Sequence, residues 1–193
     1  MKHFLTRRHL IGAAAALALP EFAFAQSDLA ATPACHDGDA STVRQTEGPF
    51  FKPSSPERAD LREGGPAGRP LDVSGFVVNR SCRPVTRALI DVWQADDAGR
   101  YDNRGFRLRG HLFTDESGRF TLRTIVPGAY EGRTRHIHVK VQAPGRSVLT
   151  TQLYFPDEPL NRTDGLYRRE LAMRLNQADD RLLGRFDFVL DLG

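Results

Sequence analysis

Thr86-Arg-Ala-Leu-Ile-Asp-Val-Trp93 decides the fold. Its apolar residues Ala88, Ile90 and Val92 recur at alternate positions. Side chains of a strand alternate between faces with period two, whereas a helical face needs spacings of three and four. The stretch predicts a strand with Ala88, Ile90 and Val92 turned inward. The turn Asn79-Arg-Ser-Cys-Arg-Pro84 precedes it, and Leu71-Asp-Val-Ser-Gly-Phe-Val-Val78 before that has the same character. Further strands are predicted over 107–114, 120–125 (Phe120 and Leu122 inward), 135–143, 148–155 and 186–192. Turns fall at Asp115-Glu-Ser-Gly118 and Pro127-Gly128. Short strands punctuated by Gly, Pro and Asp turns predict an all-β, antiparallel β-sandwich over residues 71–193. Only Leu166 to Leu175 reads as a short helix, with Leu166, Glu170 and Met173 bracketing one face and Leu171 and Leu175 another.

Upstream of the sandwich the pattern changes. Residues 52–70 carry Pro53, Pro56, Pro66 and Pro70 with Gly64, Gly65 and Gly68, which predicts a long loop. Thr46-Glu-Gly-Pro-Phe-Phe51 predicts an extended segment, because the residue before proline is pushed out of the helical region. Residues 26–40 are small and polar, so 26–70 reads as an extended N-terminal segment and loop. Residues 1–25 read as a signal peptide: Lys2, Arg7 and Arg8, then the apolar run Leu10 to Leu19, then Ala23-Phe-Ala25 as a cleavage site. The Arg7-Arg8 pair fits a twin-arginine signal, and the run is too short to span a bilayer. A retained anchor or a short buried helix is the other reading. Export to the periplasm or beyond is expected, with no stable membrane association after cleavage. There Cys35 and Cys82, the two cysteines, are expected to bridge; two buried thiols are the alternative.

The chain has 193 residues, 40% of them hydrophobic and 26% charged, which suits one folded domain and not a disordered segment. Net charge is +3, most of it in residues 1–25. Nothing in that balance points to nucleic acid.

The chemistry concentrates near His136-Ile-His138. On a strand both imidazoles share one face with Lys140, while Ile137, Val139 and Val141 share the other. Two imidazoles so placed suit one metal ion, but a plain solvated strand face explains them as well. Carboxylates are scarce nearby, with Glu131 five residues before His136. A zinc hydrolase or cupin site lacks its acidic residue, and His111 is equally a surface residue. Tyr101 and Tyr130 each close a Gly-containing turn and offer phenol oxygens, which as phenolates are hard anionic ligands. Taken alone, they read as ordinary packing tyrosines that end β-hairpins.

In order and at matching spacing, the segments Thr46-Glu-Gly-Pro-Phe-Phe51, Asp91-Val-Trp-Gln-Ala-Asp-Asp-Ala-Gly-Arg-Tyr101, Thr114-Asp-Glu-Ser-Gly-Arg-Phe120, Thr124-Ile-Val-Pro-Gly-Ala-Tyr130, Arg133-Thr-Arg-His-Ile-His138 and Thr151-Gln-Leu-Tyr-Phe155 resemble the intradiol ring-cleavage dioxygenases, especially the protocatechuate 3,4-dioxygenase type. The resemblance implies a prealbumin-like sandwich holding one non-haem Fe(III) per chain. It implies Tyr101 and His136 as equatorial ligands, His138 as an axial ligand, and Tyr130 as the axial ligand that leaves when substrate binds. It also implies Arg133 and Gln152 beside the substrate, and cleavage of a catechol by O2 between its two hydroxylated carbons to a muconate-type dicarboxylate. Two departures stand out. Thr134-Arg135 replaces the family's frequent Pro-Ala before the first histidine, and the N-terminal helical dimerisation region of the catechol enzymes is missing. The competing expectation is a non-catalytic, secreted prealbumin-like binding module. The sequence leaves the oligomeric state and the particular catechol open.

Overall fold

The computed structural model describes residues 40–62, 64–65 and 67–192. The expected signal peptide and Cys35 lie outside the described residues. Cys82 is disulfide-bonded, and no cysteine among the described residues is free.

Nine strands are found among the described residues: β1 Pro70–Asn79, β2 Leu89–Trp93, β3 Arg109–Phe113, β4 Arg119–Ile125, β5 His136–Gln142, β6 Leu149–Tyr154, β7 Arg174–Gln177, β8 Leu182–Arg185 and β9 Phe188–Leu190. They form two sheets. One has the order β4-β1-β8-β7, with β9 also on β1, and the other runs β3-β2-β5-β6. Alternation supplies the core. Leu71, Val73 and Val77 of β1, Ile90 and Val92 of β2, Phe120 and Leu122 of β4, and Ile137, Val139 and Val141 of β5 are all buried between the layers. β2 starts at Leu89 and not at Thr86, because Arg87 sits at φ 52°, a left-handed conformation that interrupts the strand.

The all-β sandwich is as expected, with two differences of detail. The first sheet is mixed, since β1 runs parallel to both β8 and β9. The C-terminal chain makes the antiparallel pair β7–β8 and then lays β8 and β9 along successive halves of β1. Nor do residues 166–175 form an α-helix. They hold a single 3₁₀ turn, Arg169–Leu171, followed by β7. Leu171 and Met173 are both buried, two residues apart, and the Met173 N–H donates to the Tyr154 carbonyl at 2.9 Å. Extended pairing at the end of β6 thus wins over helical periodicity.

Chain before β1 closes both flanks of the sandwich. On one side the Arg58 N–H donates to the His111 carbonyl and the Leu61 N–H to the Arg123 carbonyl, both at 2.8 Å, so residues 55–61 strap β3 to β4. Leu61 is fully buried beneath this strap. On the other side the Thr42 N–H donates to the Val189 carbonyl at 2.9 Å and the Gln45 N–H to the Thr150 carbonyl at 2.8 Å, joining β9 to β6. Edge groups that would otherwise be unpaired are covered. The same segment continues over the outer face of the β2-β5-β6 sheet, where the site lies.

Candidate metal centre

β5 places His136 and His138 on the outer face, opposite Ile137 and Val139, and both imidazoles are buried. Cross-strand pairing sets Trp93 of β2 and Gln152 of β6 on either side of His138. Trp93 stacks on His138 with ring centroids 4.8 Å apart and an interplanar angle of 6°. The N-terminal segment roofs the pair. The Gln152 amide donates to the Thr46 carbonyl at 3.0 Å, Lys140 pairs with Glu47, and Phe51 packs edge-on against Trp93 at 4.9 Å. Gly48 sits directly over the ring: at φ 70°, a Cβ there would meet His138 Cε1 at 3.3 Å.

The two tyrosines arrive on turns that dock backbone to backbone. Asp96 Oδ1 accepts from the N–H groups of Ala98 and Arg100, folding the turn before Tyr101. The Gly128 N–H donates to the Asp96 carbonyl at 2.7 Å. A Cβ on Gly99 would lie 2.3 Å from the Ala129 carbonyl oxygen, and one on Gly128 would lie 2.4 Å from the Gly99 nitrogen. Glycine at both positions is what lets the Tyr101 and Tyr130 turns touch. Gln94 adds a strut, donating to the Ile125 carbonyl at 2.9 Å while accepting from the Thr124 hydroxyl at 2.8 Å.

The four side chains meet. Tyr101 and Tyr130 are 5.7 Å apart by ring centroid, Tyr101 and His138 6.2 Å, and Tyr130 and His136 6.5 Å. Phe50 stacks on Tyr101 at 4.4 Å and meets Tyr130 edge-on at 5.5 Å. His136 Nδ1 lies 2.7 Å from the Thr134 carbonyl oxygen, which accepts its proton, so Nε2 presents a lone pair. That Nε2 faces His138 Nε2 at 3.2 Å. Burial, above all else, pushes His136 down to about 4 and His138 well below the usual imidazole range, where the neighbouring His136 adds to the effect. Both rings are neutral near pH 7, as a ligand must be. The Tyr101 phenol is pushed up, first by burial and then by Tyr130. Without a cation it stays protonated. Two convergent neutral nitrogens and two phenol oxygens, enclosed by aromatic rings, form a donor set that fits a hard, highly charged ion.

Arg133 and Gln152 lie behind this cluster. Arg133 Nε donates to Asp164 Oδ2 and its Nη2 to Gln152 Oε1, both at 2.8 Å. Gln152 is completely buried, and the Tyr154 hydroxyl donates to the same Oε1 at 3.0 Å. Asp164 Oδ2 also accepts from the Thr134 N–H at 2.9 Å, and Oδ1 from the Leu166 N–H at 2.9 Å. Burial pushes the Asp164 carboxyl up, but these hydrogen bonds outweigh it, so the net shift is downward. Arg135 turns away from the histidines, donating to the Pro127 carbonyl at 3.0 Å and pairing with Glu158 at 3.1 Å. Sequence reasoning missed Asp164, Arg109 and the roofing role of Phe50. Only the Phe50-Phe51 doublet within a matched segment hinted at the last.

The fold and this cluster define a β-sandwich carrying a mixed imidazole and phenol donor site on one outer face. Residues 46–193 match the family described as Dioxygenase. The chain is 34% identical over 144 residues to the protocatechuate 3,4-dioxygenase beta chain of Burkholderia cepacia, covering 65% of this chain and 60% of that protein. It is 30% identical over 175 residues to catechol 1,2-dioxygenase 2 of Acinetobacter lwoffii, covering 76% and 64%. The chain thus spans less than two thirds of the length of these two relatives. Among solved structures, the dioxygenase domain of a dioxygenase carbohydrate-binding protein fusion from Streptomyces sp. SirexAA-E is 58% identical, with a TM-score of 0.78 over 80% of this chain and 100% of that one. 3-Chlorocatechol 1,2-dioxygenase of Rhodococcus opacus 1CP is 31% identical, with a TM-score of 0.71 over 78% and 73%. The chain belongs to the intradiol ring-cleavage dioxygenase family.

Proposed function

We propose that this protein is an intradiol dioxygenase that cleaves a catechol between its hydroxylated carbons, consuming one O2 and placing both oxygen atoms in a muconate-type dicarboxylate. The observation that carries the reading is the convergence of Tyr101, Tyr130, His136 and His138 in one buried cluster. These four side chains would hold a non-haem ferric ion. When bound, the ion would supply Lewis acidity toward the catechol hydroxyls and withdraw charge from the ring, making it reactive toward O2.

The chain's own groups do the rest. Tyr101, His136 and His138 are fixed by Phe50, the Thr134 carbonyl and Trp93, respectively. Tyr130 is partly exposed and lies on a short turn closed by the Arg133 N–H donating to its carbonyl at 2.7 Å. It is the side chain of the four best placed to move, and as a phenolate its Oη would be the base that takes a catechol hydroxyl proton, becoming a neutral phenol. Arg133, clamped by Asp164 and Gln152, sets a fixed positive charge behind the site to offset charge developing on the ring. Gln152 acts through Arg133, since its carbonyl oxygen is engaged by Arg133 and Tyr154. Phe50, Phe51 and Trp93 keep water from the cluster. A leader at residues 1–25 would export the protein, and a Cys35–Cys82 bridge would form after export. No helix among the described residues is long and apolar enough to cross a membrane.

The test is purification with iron, followed by an oxygen electrode and a panel of catechol, protocatechuate, hydroxyquinol and chlorocatechol. The expected outcome is a wine-red protein with tyrosinate-to-ferric charge transfer and one O2 consumed per ring cleaved. Tyr101→Phe and His136→Ala should lose iron or activity. A colourless, zinc-bound protein, or full activity in both variants, overturns the proposal.

A further inference from the structure

Arg109, at the start of β3, is 1% exposed, yet none of the ion pairs among the described residues includes it. Its Nε donates to the Asp102 backbone carbonyl at 3.1 Å and its Nη1 to the Phe50 carbonyl at 2.6 Å. Nη2 is buried without a partner. The Asp102 carboxylate, the nearest candidate for a counter-ion by sequence, is turned to the N–H groups of Arg104, Gly105 and Arg107. A buried cation held only by two neutral carbonyls carries a desolvation cost, and the carboxylates of Asp102 and Asp91, neither of them in an ion pair with it, offset that cost only in part, so burial still pulls Arg109 down. Such a group is expected only where something else requires it.

The group beside it is Tyr101. The Arg109 guanidinium carbon is 5.9 Å from the Tyr101 ring centroid. The two carbonyls it grips belong to Asp102, next to Tyr101 in the chain, and to Phe50, which stacks on the Tyr101 ring. We propose that Arg109 is a positioning residue whose charge is left unpaired in the metal-free protein and becomes the counter-charge of Tyr101 when that side chain serves as an anionic metal ligand. This rests on the ligand set proposed above. The metal-free protein then carries an electrostatic penalty that metal loading relieves. The same charge lowers the energy of the phenolate electrons and raises the energy of their transfer to the ion.

Arg109→Met removes the charge and leaves an apolar chain of similar reach. Arg109→Lys keeps the charge but cannot fork between two carbonyls. Three quantities are measured on full-length protein: melting temperature without metal, iron retention against a chelator, and the wavelength of the charge-transfer band. Arg109→Met should melt at or above the metal-free wild type, hold iron about tenfold or more weakly, and show a band moved to longer wavelength. Arg109→Lys should keep its band near that of wild type. An Arg109→Met protein that unfolds without metal while Arg109→Lys, which keeps the charge, stays folded would overturn the proposal. So would one with wild-type iron retention and an unshifted band. Failure of the underlying ligand set looks different, because the wild type itself would then bind iron with no tyrosinate band.

Discussion

Asp164 shows how much of the site depends on single atoms. Its Oδ2 holds Arg133 and the Thr134 N–H together, and the Thr134 carbonyl in turn fixes the tautomer of His136. One carboxylate therefore sets both the cation behind the site and the direction of an imidazole lone pair. Such outer partners typically cost about 10–100-fold in metal affinity or activity when lost. Asp164→Asn keeps the size but loses the charge and cannot accept at all three donors. Its kcat should fall about tenfold or more, with a smaller change in KM, as steady-state kinetics on iron-loaded protein will read. An unchanged kcat would show that Arg133 holds its place through Gln152 alone. None of this was legible locally. His-x-His and the two Gly-containing tyrosine turns announce themselves by spacing, whereas Asp164 lies 31 residues from Arg133 in the chain and Arg109 lies 59 from Phe50. Their roles exist only once β5, β6 and the N-terminal roof are assembled.

Loops, more than strands, distinguish the elements of this chain. The Tyr101 loop is tied by Asp102, whose carboxylate accepts from the N–H groups of Arg107, Gly105 and Arg104. Those backbone donors, led by Arg107 and Gly105, pull Asp102 down to about 2. Because the folded value lies below the unfolded one, its contribution to stability is complete above about pH 4. It is then lost as pH falls toward about 2. The difference in melting temperature between wild type and Asp102→Asn should be constant above about pH 4 and shrink toward about pH 2. A pH-independent difference would mean that the carboxylate charge is not what closes the loop. Sequence pattern works well for β1, β2, β4 and β5, whose apolar residues alternate, and β3 and β6 are placed by the turns that bound them. It fails for β7 and β8. Arg174-Leu-Asn-Gln177 has a single apolar residue and Leu182-Leu-Gly-Arg185 has two adjacent ones, so neither shows a period. Their pairing comes from β1 and from each other, which no local window contains.

At the scale of the whole molecule, the site depends on a sandwich whose far sheet must switch partners midway. β1 pairs with β8 through Ser74 and with β9 from Val77, and the chain crosses between them at Phe186 and Asp187. The Phe186 N–H donates to the Ser74 carbonyl at 3.0 Å, and the Phe76 N–H donates to Asp187 Oδ1 at 2.9 Å. At the crossing a Cβ on Gly75 would stand 1.7 Å from the Phe186 carbonyl oxygen. The obstacle is backbone, so no side-chain rotation relieves it, and either β1 or the crossing must move. Gly75→Ala should cost about 3 kcal/mol. That corresponds to a fall in melting temperature of roughly 6–12 °C for a domain of this size. Gly145→Ala is the control. It adds a Cβ at φ 69° with no atom within 4 Å, so only the conformational strain of about 1 kcal/mol remains. The proposed metal site lies on the outer face of the other sheet, so iron-loaded Gly75→Ala protein that remains folded should keep the charge-transfer band expected of the wild type. A small melting shift at Gly75, equal to that at Gly145, would show that the crossing yields freely. A band shift in folded Gly75→Ala protein would show that the two sheets communicate through the core.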